Sequence, residues 1–153
     1  MPKITEAMVK RESHDDPDDP CGPVEILRFS DTGGLTQFGA NVEILPPGSA
    51  SSVKHWHAEE DEMVYILSGE LLLHEDDETI PLRAGDAATF KAGDPKAHCL
   101  ENKSTAPARY LVIGTRKTEE RITYPDRDRI LHRGERSRWT DLAGNAADDP
   151  FKT

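Results

Sequence analysis

The sequence is short of several things at once. It has no long apolar run, two cysteines, 6% aromatic residues, and too few bases to balance its acids. A membrane-spanning helix needs about 20 consecutive apolar residues, and no stretch here approaches that, so none is expected. The opening residues are mixed and polar and run into Asp15, Asp16, Asp18 and Asp19 instead of an apolar stretch, which argues against a secretory leader. Cys21 and Cys99 lack CxxC spacing and, without a secretory context, read as two free thiols. Asp and Glu total 29 against 19 Lys and Arg, a formal net charge of −10. Such a chain repels nucleic-acid phosphates and anionic membrane surfaces, so neither is an expected partner. The expectation is a soluble, cytoplasmic chain of one-domain length, and the 35% hydrophobic content leaves open how it builds a core.

The texture of the chain changes along its length. Residues 1–23 carry Pro2, Pro17, Pro20 and Pro23 with a cluster of Asp and read as an extended or disordered polar arm. From Val24 to about Arg116, short apolar segments alternate with Gly, Pro and Asp turns. Phe38, Ala40, Val42 and Ile44 fall on one face of a strand, with Asn41 and Glu43 on the other. Strand-sized segments at close spacing, with no sustained helical period, predict an all-β sandwich or barrel. The run Glu75–Glu78 reads as a hairpin tip between two such segments. Residues 117–153 are again charged, with Trp139 and Phe151 as late apolar anchors, and read as a tail that is docked irregularly or partly loose.

Chemistry concentrates around His55-Trp56-His57. On a strand, residues i and i+2 share a face, so both imidazoles can address one atom while Trp56 points away. Alone, an HxH is a weak metal signal. Glu62 follows four residues after His57, at the start of a strand-like segment that ends at Gly69. Gly85-Asp86 and Gly93-Asp94-Pro95 mark two further turns, and His98 opens another strand-like segment.

Gly48, His55, His57, Glu62 and Gly69 resemble the first motif of the cupin superfamily, and Gly85, Gly93, His98 and Asn102 resemble the second. The departures lie in turn lengths and in Lys91, where the second motif usually has Pro. A longer similarity to small single-domain bacterial cupins runs through Gly34–Gly39, Leu45–Gly48, Ala92-Gly93-Asp94 and Tyr124-Pro125-Asp126. The resemblance implies a double-stranded β-helix, the jelly-roll barrel of cupins, spanning about residues 24–116. It implies a homodimer, with Trp56, the Val24–Phe29 segment and the tail near Trp139 as interface candidates. It also implies that His55, His57, Glu62 and His98 hold one divalent transition metal per chain. Three imidazoles and one carboxylate suit Fe, Mn, Ni, Co or Zn and are too nitrogen-rich for Mg or Ca. An octahedral ion would keep two positions open, a catalytic layout, whereas zinc with four protein ligands would be nearly closed. Burying four such groups without an ion would be costly.

The rest of the site is read by alternation. If Glu62 points inward, so do Val64 and Ile66, with Tyr65 outside unless a bulge intervenes. Phe38 or Ala40, Val42, Leu71 or Leu72, Phe90, and Leu111 or Ile113 are the expected apolar walls. Asn102 is expected to close a turn, Cys99 to face away from the metal, and His14, His74 and His132 to be exposed. Arg83, Lys91, Lys96 and Arg109 read as solvated, and no acid or base stands out beside the metal. The expected ligand is a small organic molecule. Three functions stay open: a metal-dependent dioxygenase, isomerase or lyase; a binding or sensor module without turnover; and a structural zinc barrel.

Overall fold

The computed structural model describes residues 2–152. Its strands are β1 (Lys10–His14), β2 (Val24–Arg28), β3 (Phe38–Leu45), β4 (Trp56–His57), β5 (Glu62–Ser68), β6 (Glu70–Glu75) and β7 (Glu78–Arg83). They continue with β8 (Ala87–Phe90), β9 (His98–Glu101), β10 (Ala108–Thr115), β11 (Glu120–Tyr124), β12 (Arg129–Arg133) and β13 (Arg138–Thr140). The one α-helical turn is α1 (Phe29–Thr32). Among the described residues no helix is long and apolar enough to cross a membrane. All strand pairings are antiparallel, in three sheets ordered β1-β2-β3-β10-β5-β8, β13-β12-β11-β4 and β7-β6-β9. The architecture is the expected double-stranded β-helix, with sheets that do not fully close.

Two apolar clusters account for the core. The larger lies between the six-stranded and three-stranded sheets and includes Leu45, Val64, Ile66, Leu73, Leu100 and Tyr110. The smaller packs on the outer face of the six-stranded sheet, where Leu27, Val42, Ile44 and Leu111 meet Ile4, Val9 and Phe29. A sheet apolar on both faces explains how 35% hydrophobic content suffices. It also reverses the inward and outward assignment expected for two strands. Val42 and Leu111 belong to the outer cluster, Phe38 is 40% exposed, and Glu43 and Tyr110 turn toward the barrel interior. The register confirms one face: Glu43 pairs with Tyr110, Tyr110 with Ile66, Val112 with Val64, and Gly114 with Glu62. The irregularity in the β5–β10 pairing falls between Arg109 and Tyr110, away from the glutamate, and Tyr65 stays outside.

The N-terminal segment contributes a strand, β1, that covers the free edge of β2. The chain after residue 117 contributes β11–β13, and its end docks through a ring cluster of Tyr124, Trp139 and Phe151 with centroids 5.1–5.8 Å apart. Trp139 is half-buried in this cluster, and Trp56, paired with Thr123 on β11, is half-buried as well. The hairpin tip at Asp76-Asp77 lies as expected, with Glu75 paired to Glu78. Gly69 makes the turn between β5 and β6 at φ +80°, where an added Cβ would stand 2.8 Å from the Cα of Ala108. Asn102 ties strand ends together, donating from Nδ2 to the carbonyls of Leu45 (2.8 Å) and Ala106 (2.9 Å).

If the outer cluster contributes as its burial suggests, Leu27→Ala lowers the unfolding free energy by about 3 kcal/mol. Leu35→Ala, at an exposed position, stays within about 0.5 kcal/mol of the parent. Urea titrations of both variants check this.

Candidate metal centre

Three of the four expected ligand residues, His55, Glu62 and His98, come together, and His57 adjoins them through Glu62 while also facing Glu60 and Glu120. Glu62 opens β5 and pairs with Phe90 of β8. His55 forms an isolated bridge with His98, backbone to backbone, just before β4, and His98 opens β9. His55, Glu62 and His98 place one ligand atom each within 4.8 Å of one another. His98 Nε2 stands 3.5 Å from Glu62 Oε1, and His57 Nε2 stands 3.8 Å from Glu62 Oε2. Glu62 is thus the common neighbour of the set.

Each imidazole is turned the same way. His55 Nδ1 faces the carbonyl of Val53 at 3.0 Å, which leaves Nε2 as its free nitrogen. His98 Nδ1 faces the Lys96 carbonyl, while its Nε2 is buried with no partner. Phe90 stacks on the His98 ring at 3.5 Å and 5°, which holds the ring in plane. A buried imidazole nitrogen without a donor, beside a carboxylate too distant for a direct hydrogen bond, is a donor set that fits a divalent ion. Burial pushes the His55 pKa down to about 4, so the imidazole stays neutral, as a ligand must. Burial would raise the Glu62 carboxyl, but the surrounding histidines outweigh it and hold the group below its ordinary range.

Behind His57 lies a feature that spacing did not reveal. Its Nδ1 faces Glu60 Oε1 at 3.7 Å and Glu120 Oε2 at 3.8 Å. Each carboxylate is pinned by its other oxygen. Glu60 Oε2 accepts from the Lys117 amide (2.7 Å) and Arg133 Nη2 (2.8 Å), and Glu120 Oε1 accepts from the Glu59 and Arg121 amides (2.9 and 2.7 Å). Two fixed anions on one side of an imidazole favour the proton on Nδ1 and free Nε2 for the Glu62 side. Glu60 belongs to the acidic run Glu59–Glu62, and its 7% exposure was the opposite of what a solvated turn predicts. Glu120 comes from a segment read as tail, so nothing in the spacing pointed to it.

A cavity of about 130 Å³ adjoins the ligands, lined in part by His55, Glu62, His98, Val64, Phe90 and Val112. It also holds Glu43 and Tyr110, whose hydroxyl donates to Glu43 Oε2. Burial pushes both groups up. The acid beside the site, absent from the sequence reading, is therefore Glu43, hidden because its strand was assigned the wrong face. Cys99 also lines the cavity, and burial raises its thiol, so it is no ready thiolate. His74 and His132 are half-buried instead of exposed, with Nε2 of His132 2.9 Å from the Thr140 hydroxyl.

Because the folded pKa of His55 lies near 4 against an ordinary 6.5, the unfolded chain binds the extra proton between those values. The metal-free protein keeps the full contribution above pH 6.5 and loses about 3 kcal/mol as the pH falls to 4. His55→Gln flattens that slope, as denaturation measured across the window will show.

Comparisons with known proteins agree with this architecture. The model of the cupin domain matches residues 41–114. The sugar phosphate isomerase of the cupin superfamily from Silicibacter pomeroyi is 36% identical, with 96% of this chain and 97% of that chain covered and a TM-score of 0.87. A structure from Acidithiobacillus ferrooxidans, named for the same activity, is 27% identical over 94% of this chain and 92% of that one, with a TM-score of 0.84. An oxalate-binding protein of Thermotoga maritima is 35% identical over 69 residues, 45% of this chain and 54% of that protein. The chain spans about half the length of the curated relatives it matches. With two motifs, a shared barrel and a match along nearly its whole length, this chain belongs to the cupin superfamily.

Proposed function

We propose that this cupin is a divalent-metal-dependent isomerase of small sugar phosphates. The observation that carries the reading is the convergence of the imidazoles on Glu62 at the wall of a cavity. A closed structural zinc site has no need of such a space. The near-full-length similarity to proteins named as sugar phosphate isomerases supplies the substrate class. Beside the small cavity lies an open cleft of about 550 Å³ that shares Ser51 and Ser52 with it. Arg127 and Lys152 line that cleft and offer charge to a phosphate, while Asp16, Asp18 and Asp19 offer acceptors to sugar hydroxyls.

His55, His57, Glu62 and His98 would hold the ion. When bound, it supplies Lewis-acid polarisation of a carbonyl or hydroxyl oxygen. The chain's own residues do the rest. Glu60 and Glu120 keep the His57 proton on Nδ1, and Phe90 fixes the His98 ring. Val64, Val112 and Phe90 give the inner cavity apolar walls. A second reading, binding of a small oxyacid without turnover, is favoured by the shorter match to the oxalate-binding protein.

Metal analysis of the purified chain is expected to give one ion per chain, and His57→Ala is expected to lose it; full occupancy in that variant would overturn the site. Glu120→Gln is expected to weaken metal affinity by about tenfold to a hundredfold, read by competition with a chelator. Aldose–ketose interconversion of sugar phosphates, followed by NMR, separates isomerase from binder.

We also propose a homodimer. The free edge of β2, an expected interface, is covered by β1. Tyr65 and Leu67, 40% and 45% exposed on β5, offer the outer surface in its place. Sedimentation of the parent and of a Tyr65→Glu, Leu67→Glu double variant checks this, with the variant expected to run as a monomer.

A further inference from the structure

Aldose–ketose interconversion through an enediol needs a group that moves a proton between neighbouring carbons, and a carboxylate not committed to a metal is suited to that. Among the acids lining the inner cavity, only Glu43 and Glu62 are carboxylates, and Glu62 is committed to the imidazoles. Glu43 sits mid-strand on β3, between β2 and β10. Its carboxyl has one hydrogen-bond partner, the Tyr110 hydroxyl. Tyr110 is only 1% exposed and belongs to the main core, so it fixes one carboxyl oxygen and leaves the other free. A half-buried acid on the inward face of a barrel strand, beside a ligand set and without a paired base, has no structural explanation: a well-packed apolar residue would serve stability better.

We propose that Glu43 carries the proton between the two adjacent carbons of the substrate, with Tyr110 as its positioning residue. This rests on the isomerase reading above. As a carboxylate, Glu43 takes the proton from the hydroxyl-bearing carbon. The C–H electron pair becomes a carbon–carbon double bond, and the carbonyl π pair moves onto its oxygen, which takes up a proton. The former hydroxyl then gives up its proton as it becomes the new carbonyl, and the protonated Glu43 returns its hydrogen to the neighbouring carbon. One proton leaves one carbon and one is delivered to its neighbour, and likewise for the two oxygens, so no oxidant or reductant enters; while Glu43 holds the proton it exchanges in part with solvent, which carries deuterium to the carbon in D₂O. The surroundings suit a group that must hold a proton and release it. Burial raises the carboxyl, Glu62 on β5 raises it further, and the Tyr110 hydroxyl, Arg28 on β2 and His14 on β1 oppose the rise.

The test uses the full chain, metal-loaded, in D₂O with aldose and ketose phosphates of triose to hexose length. Deuterium entering carbon adjacent to the carbonyl is followed by NMR against a chelator-treated control. For Glu43→Gln, a near-isosteric change that can still accept from Tyr110, metal content is expected to be unchanged and exchange to fall at least about a hundredfold. For Tyr110→Phe, the acid limb of the rate profile is expected to move to higher pH, because a hydrogen bond to the carboxylate is lost. In the metal-free chain, carbon-13 NMR is expected to show Glu43 titrating above the ordinary glutamate range, and higher still in Tyr110→Phe. Exchange that survives Glu43→Gln overturns this assignment alone. Loss of metal in that variant overturns it too, by making Glu43 a ligand, as does an ordinary titration. No interconversion of any of the phosphates by the parent chain removes the isomerase reading and this assignment with it, and interconversion without any exchange overturns this assignment alone. If Glu43→Gln does not fold, the Tyr110→Phe profile and the parent titration decide.

Discussion

The structure turns on one carboxylate, Glu62, whose near neighbours are imidazoles. Glu62 stands within 4 Å of two imidazole nitrogens and close to a third histidine, in a barrel mouth built from three sheets. None of these contacts is short enough to be a strong hydrogen bond. The spacing makes sense as a shell around something small and positive. That requirement reaches outward. Two more carboxylates stand behind His57 and favour its proton on the far nitrogen, and Arg133 and three backbone amides hold those two in place. The polarity of the inner barrel is thus organised in shells, each fixed by the next.

The same requirement explains the distribution of negative charge. A chain with net charge −10 would be expected to keep its acids in solvent. Here Glu60 and Glu120 are 7% and 3% exposed, and Glu43 lies within the barrel. The remaining acids at Asp76-Asp77 and near residues 15–19 are exposed, as turns and arms should be. The acidity is therefore two populations, one for solvation and one for chemistry.

Much of this was legible in the sequence. Glycine turns separated short alternating segments, which sufficed for an all-β reading, and the two motifs that resemble those of cupins pointed to His55, His57, Glu62 and His98, of which His55, Glu62 and His98 lie together with His57 beside Glu62. What stayed hidden has physical reasons. Alternation identifies two faces of a strand but not which one turns inward, and β3 and β10 are apolar on the face covered by Ile4, Val9 and Phe29. That cover comes from a segment whose composition resembles a loose arm, so Glu43 and Tyr110 were placed outside. Glu120 and Arg133 reach the site from β11 and β12, more than fifty residues beyond the HxH, and no local period encodes such a contact. The run Glu59–Glu62 hid two roles behind one composition, because burial, not residue type, separates Glu60 from Glu59.

The docking of the chain's end gives the site an optical character. Phe151 and Trp139 close on Tyr124, and the Tyr124 ring lies 5.7 Å from that of His55. The other indole, Trp56, sits between His55 and His57 in the chain. Both tryptophans of the molecule are therefore tied to ligand-bearing segments and none is spent elsewhere. Tryptophan emission is thus expected to report on the surroundings of the candidate ligands, with no label attached.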